Sequence, residues 1–163
     1  ESVEALIKKI TKLINKNKEQ FDGGDEKCNI TIICDSPGGS VHAILKFVDF
    51  VRMSKIKFSW LEFTSIITGC VASAGTILAI TCDHRHATKY SKMMIHELAS
   101  GRSGKYTHLK SYTEHLTDLH DTLVEIYMEK CGKSKEEIEE LLAKESWYNA
   151  QEYLSAGFIE KIV

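Results

Sequence analysis

Residues 69–80 read GCVASAGTILAI, and the fold turns on how Ser73 is read. A strand favours larger side chains than Ala72 and Ala74 supply, and a helix interior disfavours Gly75. A turn between the two accounts for all of them. The β-branched SIITG (65–69) enters as a strand, and AGTILAI (74–80) leaves as a helix. A serine so placed either bonds back to its own main chain or offers its hydroxyl at a sharp corner.

The same strand–turn–helix pattern occurs upstream. NITIIC (29–34) reads as a buried strand, and DSPGGS (35–40) turns into a helix with apolar positions at Val41, Ile44, Leu45, Val48 and Val51. Before it, Val3, Leu6, Ile7, Ile10, Leu13 and Ile14 recur at helical spacing, with Lys8, Lys9 and Lys12 on a solvated face. Gly23 and Gly24 place a surface turn after that helix. KIKFSWLEF (55–63) fits either an extended strand or an inserted loop.

Downstream, KMMIH (92–96) reads as a short strand, reached from the preceding helix by a charged connector, and Gly101 and Gly104 mark flexible backbone. Leu109, Tyr112, Leu116, Leu119, Leu123 and Ile126 then step along one long helix, a seam suited to its own core or to an oligomer contact. Ser134 with Glu137 forms a capping box. YNAQEYLSAGFIEKIV (148–163) reads as a short helix ended at Gly157, then a closing strand. Strands alternating with helices predict an α/β fold with a largely parallel sheet. Without repeats, linkers or any proline beyond Pro37, one domain over 1–163 is expected.

Composition narrows the function classes. Apolar residues make up 43% and charged residues 27%, and 21 Lys and Arg against 23 Asp and Glu give a net charge of −2. That balance has no basic excess for nucleic acid. Thr64 to Cys82 carries no charge and approaches the length of a membrane span. Its glycines and threonines favour a buried strand followed by a buried helix, so no membrane partner is expected. Five cysteines without a CxxC pair or a secretion signal predict a reduced, cytoplasmic setting. Cys82, His84 and His86 lack a fourth ligand, so no metal is expected.

In α/β sheets ligands gather where strand ends meet helix starts, because backbone N–H groups are free there and the helix dipole adds positive potential. A serine hydroxyl at such a turn can attack a carbonyl while neighbouring N–H groups hold the oxyanion. The base within reach is His96, at the end of KMMIH; by itself it reads equally as a structural histidine. His42, His84, His86, His108, His115 and His120 lie in charged or helical settings and read as solvated.

SPGGSV, GCVASAGT and MMIHE, in this order, resemble the motifs of ClpP, the proteolytic subunit of the Clp protease. The tail WYNAQEYLSAGFIEKI is similar to the same family's closing segment. The resemblance runs from the first helix to Val163, so a member with a shortened N-terminus is expected. It implies a crotonase-type spiral of βαβ units with a protruding handle, here about residues 97–131, formed by the ELASGRSG strand and the long helix from about Tyr106 to Cys131. It implies Ser73 as nucleophile, His96 as general base, and the N–H groups of Gly39 and Ala74 as oxyanion donors. Gly38, Val41 and Ala99 fall at substrate-binding positions. It also implies rings of subunits enclosing a chamber, unfolded polypeptides as substrates, and an AAA+ unfoldase that uses ATP, with no cofactor in the peptidase itself.

Two positions depart from the family pattern. The triad aspartate is matched by Glu145, and a Ser-His-Glu triad is physically sound, since either acid can orient a histidine. The arginine that often precedes it is Lys144, which cannot make a bidentate contact between rings. Two rivals stay open: a weak or inactive ClpP-like subunit that completes a mixed ring, and an enzyme similar to signal peptide peptidases, with Lys89 or Lys92 as base.

Overall fold

The long strand β2 (Leu61–Ala72) organises the computed structural model, which describes residues 2–163. One edge of β2 pairs in parallel with β1 (Cys28–Ser36). The other edge carries two parallel strands in succession: β3 (His84–Ala87) at Thr64–Ile67, and β4 (Lys92–Ile95) at Cys70–Ala72. β6 (Lys161–Ile162) extends β3 in parallel, and β5 (Ser146–Asn149) pairs antiparallel with β4. The α/β class and the largely parallel sheet are therefore as the sequence predicts.

The helices follow from local signals. Ser2 caps α1 (Val3–Phe21) and Ser40 caps α2 (Val41–Lys57), each side chain accepting an otherwise unpaired N–H. α3 (Ala74–Thr81) follows Ser73 directly and is almost wholly buried. β1 alternates, with Ile30, Ile32 and Cys34 facing inward and Asn29, Thr31 and Ile33 outward. Helices α1, α2 and α3 pack on this sheet. Phe47, Phe63, Met93, Tyr153 and Phe158 are fully enclosed in the core; burying each such side chain is worth about 1.5–3 kcal/mol.

α4 (Tyr106–Cys131) has the predicted bounds and ends on Gly132 in the left-handed region. Its buried residues begin only at Leu119; in its first half Leu109, Tyr112 and Leu116 are half-buried and the other residues exposed. α5 (Lys135–Ala143) carries the capping box of Ser134 and Glu137, and α6 (Ala150–Ser155) precedes Gly157 at φ 83°.

Four local expectations need correction. Lys55–Lys57 complete α2, so KIKFSWLEF divides between a helix end and a strand that starts at Leu61. β2 does not stop at Gly69 but runs to Ala72. Between the pairs Cys34↔Ile67 and Ser36↔Val71 it carries two extra residues, a bulge that Gly69 admits at φ 58°. Asp35 anchors it by accepting the Cys70 N–H at 3.1 Å. His84 and His86 belong to β3 rather than to a connector. Residues 97–104 form no strand, because the β4 ladder ends at Ile95 and no partner lies beyond it among the described residues. Among those residues, no helix is long and apolar enough to cross a membrane.

Candidate active site

Ser73 joins β2 to α3 with φ 54° and ψ −128°, a conformation costing a non-glycine residue about 1–3 kcal/mol. Its backbone is held from both sides. The N–H donates to the Met94 carbonyl on β4 at 2.9 Å, and the carbonyl accepts from the Thr76 N–H at 3.0 Å and the Thr76 hydroxyl at 2.7 Å. Its hydroxyl does not cap α3. The side chain is thus left for the cleft rather than bonded back to its own main chain.

The DSPGGS turn packs against this corner with no room for side chains. A Cβ on Gly38 would lie 2.7 Å from the Ala72 carbonyl oxygen and 2.8 Å from the Ser73 Cβ, and Gly38 also sits at φ 101°. A Cβ on Gly75 would lie 2.8 Å from the Ser36 carbonyl oxygen. Gly39 is exposed at φ 146° with open space where a Cβ would stand. Ala74 is the first residue of α3, where the N–H groups have no partner within the helix. Two turns fitted back to back therefore present glycine and helix-start backbone beside the serine.

A cleft of about 200 Å³ opens there, bordered by Gly39, Val41, Ser73, Ala74, His96 and Ala99. Six of the eight predicted site residues meet in it. Gly38 lies behind the serine turn, and Glu145 is not part of the lining. His96 directly follows β4, is half-buried, and its ring makes no hydrogen bond among the described residues. Lys89 and Lys92 are absent from the lining.

Sequence reasoning missed the apolar wall formed by Ile77, Leu98, Leu123, Tyr127 and Leu142, and two polar groups, Glu97 and His120. The helical period could have found His120, which stands four residues after Leu116 and three before Leu123 on the inward side of α4. Tyr127 is buried with its hydroxyl on that of Thr76, and burial pushes its phenol well above the usual range.

Glu145 occupies a different environment. It sits at φ 47°, exposed, with its N–H on the Leu142 carbonyl at 3.3 Å. Its carboxylate has no hydrogen bond among the described residues. The β4–β5 register pairs Ile95 with Ser146, so one further step would oppose His96 and Glu145. The left-handed turn at Glu145 ends the ladder before that step. Lys144, just before it, pairs with Glu140 on its own helix.

Residues 6–163 match the family described as Clp protease. The ATP-dependent Clp protease proteolytic subunit 1 of Protochlamydia amoebophila is 33% identical over 138 residues, covering 82% of this chain and 65% of that relative. The corresponding subunit 1 of Chlamydia abortus is 30% identical over 138 residues, 82% of this chain and 69% of the relative. An ATP-dependent Clp protease proteolytic subunit of Streptococcus pneumoniae is 32% identical over 147 residues, 88% of this chain and 72% of the relative. The chain thus spans about two thirds of the length of these relatives.

Proposed function

The chain belongs to the Clp protease family, and on that premise we propose that it is a serine endopeptidase acting on unfolded polypeptides inside an oligomeric chamber. The observation that carries this reading is the shared cleft: the hydroxyl-bearing, strained corner at Ser73 and the His96 ring border one cavity with the backbone of Gly39 and Ala74. In the first step the Ser73 oxygen bonds to the peptide carbonyl carbon as its proton passes to the His96 imidazole. The N–H groups of Gly39 and Ala74 stabilise the oxyanion, a contribution of about 2.7–4 kcal/mol per donor in such sites. The C–N bond then breaks, the leaving amine takes the proton from His96, and water repeats the sequence on the acyl-enzyme. The chemistry requires no metal or organic cofactor.

Glu145 is the acid for His96 in this reading. Its support is the β4–β5 register, whose last pair, Ile95↔Ser146, stops one step short of His96 and Glu145, together with a carboxylate left without another partner. A fluorophosphonate probe on the assembled protein, with mapping of the modified residue, tests the assignment. Labelling of Ser73 is expected; labelling elsewhere, or none, sinks it.

The relatives' names place them in ATP-dependent assemblies. By analogy, this chain forms rings served by an AAA+ unfoldase in the cytoplasm. The exposed first half of α4 supports a contact between copies, since Leu109, Tyr112 and Leu116 line one side of it at half-burial. Leu116→Glu should lower the assembly state in analytical ultracentrifugation, because burying an unpaired carboxylate costs several kcal/mol. One observation favours the second reading, a subunit that only completes a mixed ring: the exposed, unpaired Glu145. Under that reading Ser73 resists the probe.

A further inference from the structure

Besides Ser73 and His96, the cleft presents two polar side chains with no assigned task. His120 reaches it from α4 and Glu97 from the segment after His96. His120 is half-buried and Glu97 exposed at the rim, and neither side chain has a hydrogen-bond partner among the described residues. A partly covered polar group normally finds a partner, so the bonding capacity of His120 is directed at what enters the cleft, and the Glu97 carboxylate stands at the rim of the same cleft. The rest of the wall is apolar, supplied by Ile77, Leu98, Leu123, Tyr127 and Leu142. At about 200 Å³ the space is below the roughly 300–1,000 Å³ of a pocket for a drug-sized ligand. It suits one amino-acid side chain.

We propose that His120 and Glu97 make this cleft select an amide-tipped side chain, glutamine above all, on the acyl side of the bond to be cut. The proposal rests on the peptidase reading of Ser73, since the selected residue is the one whose carbonyl Ser73 attacks. An imidazole N–H donates to the amide oxygen, and the Glu97 carboxylate accepts from the amide NH₂, so a primary amide satisfies both groups at once. A methionine of similar length fills the apolar wall but leaves both polar groups unpaired. A glutamate tip meets the like charge of Glu97. Sites built to hydrogen-bond a substrate group reject analogues that lack it far more strongly than apolar slots reject a methylene.

The test uses fluorogenic peptides differing only in that residue: Gln, Met, Lys or Glu. For the assembled parent, kcat/KM for Gln should exceed that for Met by about tenfold, the scale of one or two net hydrogen bonds. His120→Leu should collapse the ratio to about one, and His120→Gln, which keeps a donor of similar reach, should restore part of it. Glu97→Gln should raise cleavage after Glu relative to Gln. Binding of the same peptides to Ser73→Ala, followed by fluorescence anisotropy, reads the cleft without turnover. If the parent cuts no peptide yet Ser73→Ala binds the Gln form about tenfold tighter than the Met form, the peptidase reading fails and the selectivity stands. A Gln-to-Met ratio near one in the parent, or one that His120→Leu leaves intact, overturns the proposal. So does a dominant preference for Lys that disappears in Glu97→Gln.

Discussion

Two residues other than glycine have positive φ among the described residues, Ser73 at 54° and Glu145 at 47°. They are held very differently. Ser73 is gripped through its N–H by β4, through its carbonyl by α3, and from behind by a glycine turn in sub-van der Waals reach of any added side chain. Glu145 has one long N–H bond, an exposed side chain and a four-residue edge strand after it. The strain at Ser73 is imposed by packing on every side, whereas the conformation of Glu145 is set by one local turn. In the proposed peptidase the attacking atom is thus fixed and the support for its base adjustable.

The largest effect is expected at Ser73, the proposed nucleophile. Ser73→Ala should abolish probe labelling and lower kcat by on the order of 10⁶-fold, as loss of a serine nucleophile does elsewhere. Any substantial residual turnover would mean that another residue attacks. Next comes the acid: Glu145→Gln should slow single-turnover acylation of a peptide ester by about 10²–10⁴-fold. Glu145→Asp should stay well above Gln, since charge is kept and only reach is shortened. A Gln variant equal to the parent would make Glu145 a bystander.

Smaller effects sharpen the contrast through stability. Gly38→Ala places a Cβ 2.7 Å from the Ala72 carbonyl oxygen at φ 101°, and should cost about 2–4 kcal/mol in denaturant unfolding. A loss under 0.5 kcal/mol would show that the two turns are not locked together. The least change is expected from Glu145→Gly. Relief of the left-handed backbone is worth about 1–2 kcal/mol and is partly offset by the greater freedom of glycine in the unfolded chain. A net gain of up to about 1 kcal/mol should appear in calorimetry; a clear loss would mean that the carboxylate makes contacts that hold the fold.

The sequence showed most where chemistry is local. Alternation in NITIIC, the helical seam of Leu109 to Ile126 and the small residues around Ser73 each follow from a short-range rule, and each element stands where those rules put it. Elements that depend on a distant partner were illegible. β5 lies in ESWYN, whose exposed Trp147 and half-buried Tyr148 give no clear alternation, and only the edge of β4 makes it a strand. The bulge at Gly69 exists because Asp35 waits opposite it. Within the site, Ser73, His96 and Gly39 were readable from motifs. Glu97 was not, and His120 only by its place in the helical period, because their significance is a shared cavity between segments about twenty residues apart. Glu145 remains the position where motif and local geometry speak least alike.

The bond from the Ser73 N–H to the Met94 carbonyl has a mechanical consequence. It is the last bond of the β2–β4 ladder, at the pair Ala72↔Met94, and His96 follows two residues after Met94, directly past the end of β4. The proposed nucleophile and base are therefore both tied to the end of one ladder. Breathing of the surrounding helices shifts both together and leaves their spacing alone, so the pair has no low-energy way to drift out of register. Only opening of the central ladder separates them, and that ladder is the spine of the whole sheet. Heat inactivation of the Ser73–His96 pair is thereby expected to follow global unfolding, while local loosening of the chain falls on the edge strand β5, just after Glu145.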